Sequence, residues 1–223
     1  MTRRHPSPLV VGSMLSGAAL LCLPGCQLGQ LFGGMAASAQ RSGTHEAKAK
    51  YRGLADHTFA VIIAADRSIL ADFPTIVPAM TREITKMIAD NAGAKGVLPA
   101  DEVLRYQAQH PGWVAKPFDQ IAKDLAVDRV VYIDLQDFAL TDPGNVYVYN
   151  GVASGVVHVI EAQSSTPGEF AFGEAVRVQY PDMSGLSPNE IPKSEVLSIL
   201  AKRFVDRCSW LMYTHDEPNA IKY

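Results

Sequence analysis

Cysteine is scarce in this sequence: three among 223 residues, at positions 22, 26 and 208, too few for a disulfide framework. Charge of one sign is scarce too. Twenty Lys and Arg against 23 Asp and Glu give a formal net charge of −3, so no basic field invites nucleic acid. No apolar run reaches the roughly 20 residues of a membrane-spanning helix, which excludes a multi-pass membrane protein. The six histidines are scattered, with no HExxH and no cysteine pair at zinc spacing, so neither a metal nor a cofactor is expected. Apolar mass, by contrast, is ample. With 48% hydrophobic and 19% charged residues and a mean hydropathy of +0.03, the chain can bury a core, unlike a disordered one. Its length suits one domain plus appendages.

The N-terminus has the three parts of an export signal: positive Arg3 and Arg4, an uncharged apolar run from Leu9 to Leu23, and small Gly25 before a cysteine. The segment Leu23-Pro24-Gly25-Cys26 resembles a bacterial lipobox, where cleavage follows Gly25 and Cys26 carries the lipid. That resemblance implies an envelope lipoprotein, and Gln27 after the cysteine implies the outer membrane, facing the periplasm. Residues 1–25 are then a signal peptide, and 198 residues remain with one thiol, Cys208. Losing Arg3 and Arg4 leaves 18 basic against 23 acidic residues, a net charge of −5. By net charge such a domain does not bind an anionic membrane, and the anchor supplies that attachment.

Residues 26–50 are rich in Gly, Ala, Ser and Gln and read as the lipidated N-terminus and a linker. As a coil, 24 residues reach roughly 25–30 Å. The folded domain is expected over 51–223. Thr58–Ala65 is an apolar β run of the kind buried on both faces. Asp66–Asp72 reads as a loop, after which Ile76, Val77, Met80, Ile84, Met87 and Ile88 repeat at helical spacing up to a stop at Gly93. Short helices follow over 101–109 and from Phe118 to Leu125. Arg129–Leu140 alternates as a strand, with Asp134 and Asp137 on opposite faces. Asp142–Asn145 is a turn, 146–163 and 169–180 form a hairpin, and a last helix covers 193–213. The fold class expected is α/β (α+β): one mixed sheet of about five strands against three to four helices.

This order and certain local phrases resemble the α/β domain of the TolB N-terminal, CsgG and LpoB-type envelope proteins. In IAKDLAVDRVVYIDL, residues 121–135, Ala122, Leu125 and Asp128 match that group's "A-x-x-L-G-x-D" before a strand, with Ala126 where glycine is usual. The stretch 155–172 is similar to its hairpin. These are packing and turn signals, so the resemblance speaks to fold before function. It implies a lipid-anchored, non-enzymatic component that binds or assembles envelope machinery.

Signals for chemistry are weak. In Gly151-Val152-Ala153-Ser154-Gly155 the serine stands one place late for a nucleophile elbow, and small residues in a strand point instead to close packing or a bulge. Gly93-Ala94-Lys95-Gly96 reads as a helix cap and turn. His45-Glu46 in the linker and His215-Asp216-Glu217 in the tail read as solvated polar clusters. Exposed aromatics offer the better binding surface: Tyr147 and Tyr149 on one strand face, and Trp113 after Pro111-Gly112. The expected function is thus a tethered outer-membrane lipoprotein that binds proteins of an envelope assembly, transport or secretion system. The alternatives are a regulatory activator of a peptidoglycan synthase and an envelope hydrolase. Partners are the membrane, through Cys26, envelope proteins, and further copies of the chain.

Overall fold

The computed structural model describes residues 43–145, 147–164, 166, 168–183 and 185–219. Gly25, Cys26, the signal peptide and most of the expected linker lie outside them.

Eight consecutive apolar or small residues make β2 (Thr58–Ala65), whose interior is buried on both sides, as a central parallel strand requires. β2 pairs in parallel with β3 (Gly96–Val97) on one side and with β4 (Arg129–Ala139) on the other. From β4 the chain turns antiparallel into β5 (Gly151–Glu161) and β6 (Phe172–Tyr180), giving the sheet order β3-β2-β4-β5-β6. The expected mixed five-stranded sheet is therefore present.

Each sheet face builds its own core. Phe59, Val61 and Ile63 of β2, Val131, Ile133 and Leu135 of β4, and Val157 and Val159 of β5 form one face. It is covered by α2 (Ile76–Asn91) and α5 (Lys193–Trp210). Those helices present Met80, Ile84, Ile88, Leu200, Phe204 and Cys208, all at 3–4 residue spacing and buried. The buried hydroxyls of Thr81 and Thr85 donate to the carbonyls of Val77 (2.8 Å) and Thr81 (2.6 Å), so neither stays unsatisfied. Burial raises the Cys208 thiol well above its ordinary range. The opposite face packs Ala60, Ile62, Val130, Tyr132 and Ile160 under α3 (Ala100–Gln109), α4 (Phe118–Asp124) and the 3-10 turn Trp113–Ala115. This second layer ends over the Ile160 end of β5. Beyond it Gly173, Ala175, Arg177 and Gln179 of β6 are exposed, and Val152, Ser154, Val156 and His158 of β5 are half-buried.

The phrase at 121–135 has a local explanation. Ala122 and Leu125 are buried, Ala126 adopts φ +52°, and Asp128 clamps the starts of β2 and β4. Its Oδ2 accepts the Thr58 backbone N–H (2.9 Å) and hydroxyl (2.7 Å), and these bonds hold its carboxyl below the usual range. A left-handed residue explains why glycine suits position 126. Gly93, at φ +66° just after the last turn of α2, is the expected cap.

Several expectations need correction. Asp66–Asp72 is not a plain loop: α1 (Arg67–Asp72) forms there and buries Ile69, bringing the described α-helices to five. β5 starts at Gly151 rather than 146, because Asn145 accepts the backbone N–H groups of Tyr147 (2.9 Å) and Val148 (3.2 Å) and curls the chain. The end of the expected linker is also structured. β1 (Thr44–Ala47) pairs antiparallel with β7 (His215–Pro218) in a separate ribbon, setting His45 opposite Glu217 and Ala47 opposite His215. The two polar clusters that looked independent in sequence are thus partners across the fold. Finally, a bulge at Gln136 places Leu135 opposite Gly155 but Asp137 opposite Ser154. The extra residue resets the alternation, so Asp134 and Asp137 share the open face instead of opposing each other.

Candidate functional site

In sheets of this kind ligands and partners meet the carboxyl ends of the parallel strands. There, beyond Ala65 of β2 and Ala139 of β4, a cleft of about 780 Å3 opens between the end of α1, the 140–150 loop and the start of α5. Phe73 forms part of its wall, packed edge-on against Phe138 (5.2 Å between centroids), with the Lys193 ammonium 5.8 Å from its centroid. Asp137 and Arg177 line it from the open sheet face. Asn150 donates through Nδ2 to both Asp142 carboxylate oxygens at 3.0 Å, and with Gly144 at φ +79° this fixes the turn expected at 142–145.

Two loops flank this end, 140–150 and 181–191, and they are fastened together. The Tyr149 backbone N–H donates to the Leu186 carbonyl at 2.7 Å. A Cβ on Gly185 would stand 2.6 Å from the Tyr149 carbonyl oxygen, so only glycine permits this approach. The second loop is also held from α5. Arg203 donates to both Asp182 oxygens (2.6 and 3.0 Å) and to the Gln179 carbonyl (2.5 Å), while its guanidinium lies over the Tyr180 ring. Glu190 accepts the Ser187 N–H at 2.7 Å, which keeps its carboxyl below the ordinary range. On these braced loops sit Tyr147, 79% exposed, and Met183, 81% exposed, the most exposed large apolar side chains among the described residues.

Of the aromatic residues picked from sequence, then, only Tyr147 is exposed. Tyr149 is 7% exposed because its bridge to Leu186 turns the ring into the core; it does not share a strand face with Tyr147. Trp113 is likewise 7% exposed and meets Tyr132 edge-on at 6.2 Å beneath α3 and α4, so the Pro-Gly loop before it turns the indole inward. Neither offers an accessible surface. Met183 and Arg203 carry no local sequence signal. A lone methionine in a polar stretch carries no periodicity, and the Arg203–Asp182 pair spans 21 residues.

Ser154 stands opposite Asp137 on the open face, and the adjoining Gly155 supports the close-packing reading: its Cβ would lie 2.4 Å from the Asp134 carbonyl oxygen. His158 lies four residues along the same strand, about 13 Å away at strand rise. Its ring stacks on Phe170 at 3.9 Å, and burial lowers its pKa. Among the described residues no cluster of three or more His, Cys, Asp or Glu could hold a metal ion, and no helix is long and apolar enough to cross a membrane.

No family model and no curated protein matches the chain. Solved structures do. Lipoprotein GNA1162 from Neisseria meningitidis is 14% identical, covering 67% of this chain and 96% of its own, at a TM-score of 0.45. A PelC dodecamer from Paraburkholderia phytofirmans is 11% identical, covering 76% and 96%, at a TM-score of 0.44. Protein XCC0632 from Xanthomonas campestris is 9% identical, covering 78% and 89%, at a TM-score of 0.46.

Proposed function

We propose that this chain is a lipid-anchored envelope protein that acts by binding other proteins, with Cys26 as the anchor and the loop pair 140–150/181–191 as the contact. The observation that carries the reading is the pairing of exposure with rigidity. Tyr147 and Met183 present apolar surface to water on loops fixed by the Tyr149–Leu186 and Arg203–Asp182 bonds. A braced aromatic anchor loses little conformational freedom on binding, which is how a few residues come to dominate an interface. Binding rather than catalysis is favoured by the spread of the polar groups. Ser154 and His158 are too far apart along β5 for proton transfer, which needs about 3 Å. Confinement by the anchor raises the effective concentration for partners in the same envelope.

The test is crosslinking in living cells with mass spectrometry, comparing wild type, Cys26→Ala and the double variant Tyr147→Ser/Met183→Ser. The reading expects a set of envelope proteins lost in both variants, while thermal stability of the double variant stays within about 0.5 kcal/mol, as for exposed sites. Crosslinks confined to further copies of the chain would make it a scaffold. An unchanged partner set in both variants would overturn the proposal and reopen the hydrolase alternative.

A further inference from the structure

The mature chain carries excess negative charge, yet its cations are not evenly spread. Between the outer edge of β6, the β1–β7 ribbon and the end of α5 lies a second cleft, of about 250 Å3. Lys48, Lys50, Arg177 and Arg207 line it, against two carboxylates, Glu174 and Glu217. Both carboxylates are already engaged, Glu174 with Lys50 at 2.6 Å and Glu217 with Arg207 at 2.5 Å. Arg177, on the edge strand, borders this cleft as well as the first; neither it nor Lys48 forms an ion pair with a described residue, so the cleft keeps two uncompensated cations. Its wall is Trp210, stacked on His215 at 4.5 Å, with the Arg207 guanidinium 5.7 Å from the indole. The ribbon has a sign on each side. The side toward the cleft carries Ala47, His215 and Glu217, whereas the other carries Glu46 opposite Asp216. An anionic surface therefore meets attraction on one side only.

The position of this cleft bears on its occupant. Lys48 follows β1, and only 17 residues separate Cys26 from Thr44. Seventeen residues span at most ~60 Å however they fold. If Cys26 is acylated, Thr44, at the start of the ribbon that walls the cleft, is never farther than that from lipid headgroups. From the free cations and indole that share this cleft, and the short length of chain between it and Cys26, we infer that the β6–ribbon cleft binds the phosphate of an anionic phospholipid headgroup. Lys48 and Arg177 meet the phosphate, and Trp210 takes the interfacial position that indoles favour at membrane surfaces. The inference rests on the Cys26 anchor for its geometry, though not for its chemistry. Its consequence is orientation: the headgroup contact turns the ribbon toward the bilayer.

The chain has two tryptophans, and Trp113 lies in the other core, so Trp113→Phe leaves Trp210 as a local reporter. The purified mature lipoprotein carrying Trp113→Phe is reconstituted into vesicles of brominated phosphatidylglycerol or brominated phosphatidylcholine. Quenching of Trp210 is expected to be roughly two- to fivefold greater in the anionic lipid. It should fall to the phosphatidylcholine level in Lys48→Glu/Arg177→Glu, and also at 1 M salt, where screening acts within about 3 Å. Equal quenching in both lipids, or quenching that survives the double substitution, overturns the inference. So does an equal response of the detergent-solubilised protein to inorganic phosphate or to polyglutamate, which would make the cleft a site for soluble anions or acidic polypeptides. Intact mass reports acylation of Cys26 separately. If it is absent, the anchor reading fails, and flotation of the Trp113→Phe protein with unbrominated phosphatidylglycerol vesicles tests the cleft alone.

Discussion

The two faces of the main sheet are built to different ends. One is roofed from β2 to β6 by α2 and α5, with Phe59, Ile84, Leu200 and Phe204 fully buried between the layers. The other is roofed over β2, β4 and the Ile160 end of β5, while the rest of β5 and β6 carries Ser154, Ala175 and Arg177 toward water. Complete cover supplies the apolar burial that holds the domain together. Incomplete cover leaves a solvent-facing surface ending at the cleft and its two loops, where a partner can approach without the core being opened. Stability and recognition thus occupy different sides of the same strands.

The sharpest way to break this division is to delete volume on one side and add it on the other. Phe204→Ala should cost about 3–5 kcal/mol in denaturant unfolding, as large-to-small changes in full cores do. Ala175→Glu on the open half should stay within about 0.5 kcal/mol. Comparable losses from both would abolish the distinction. Gly155→Ala probes the junction, since the new Cβ meets the Asp134 carbonyl oxygen under the bulge. A loss of about 1–3 kcal/mol is expected, and a neutral result would mean the bulge yields easily.

Tyr51 belongs to the roofed side, where burial and its 2.8 Å bond to Glu161 push its pKa up to about 12. The folded state favours the neutral phenol. Its contribution is therefore complete below pH 10, the unfolded value, and is lost as pH rises from 10 through about 12. Tyr51→Phe should flatten the pH dependence of unfolding in that window, and an unchanged slope would assign the alkaline transition to another group. A small gain is expected at the margin of the partial roof. Ala126→Gly releases a left-handed alanine and should raise stability by roughly 0.5–1 kcal/mol. A fall in melting temperature would show that Ala126 sits there without strain.

Which parts of this were legible in the sequence follows from the range of the forces involved. β2 and the first half of β4 declare themselves by near-continuous apolar runs, and α2 and α5 by apolar residues at helical spacing, and the buried residues match both signals. The β1–β7 ribbon does not. Its strands, THEA and HDEP, are short and polar, and the whole domain separates Thr44 from its partner Pro218 along the chain. The bulge at Gln136 leaves only a change of phase in the sequence: apolar residues at 131, 133 and 135 give way to Phe138 and Leu140, and Gly155 on the neighbouring strand permits the close approach there. The aromatic candidates failed on burial. Tyr147 and Tyr149 have the same composition and nearly the same position, and one hydrogen bond to Leu186 separates their environments.

The ribbon has a practical meaning for anyone rearranging the chain. Because Thr44 and Pro218 are cross-strand partners, their Cα atoms lie roughly 5 Å apart. A few added residues would join them, and new ends could be opened in the exposed turn at Gly144 without cutting any strand. Such a circular permutant would keep every strand pairing of the domain. A fluorescent fusion at the new ends would then ride on the cleft-side loops rather than beside the ribbon.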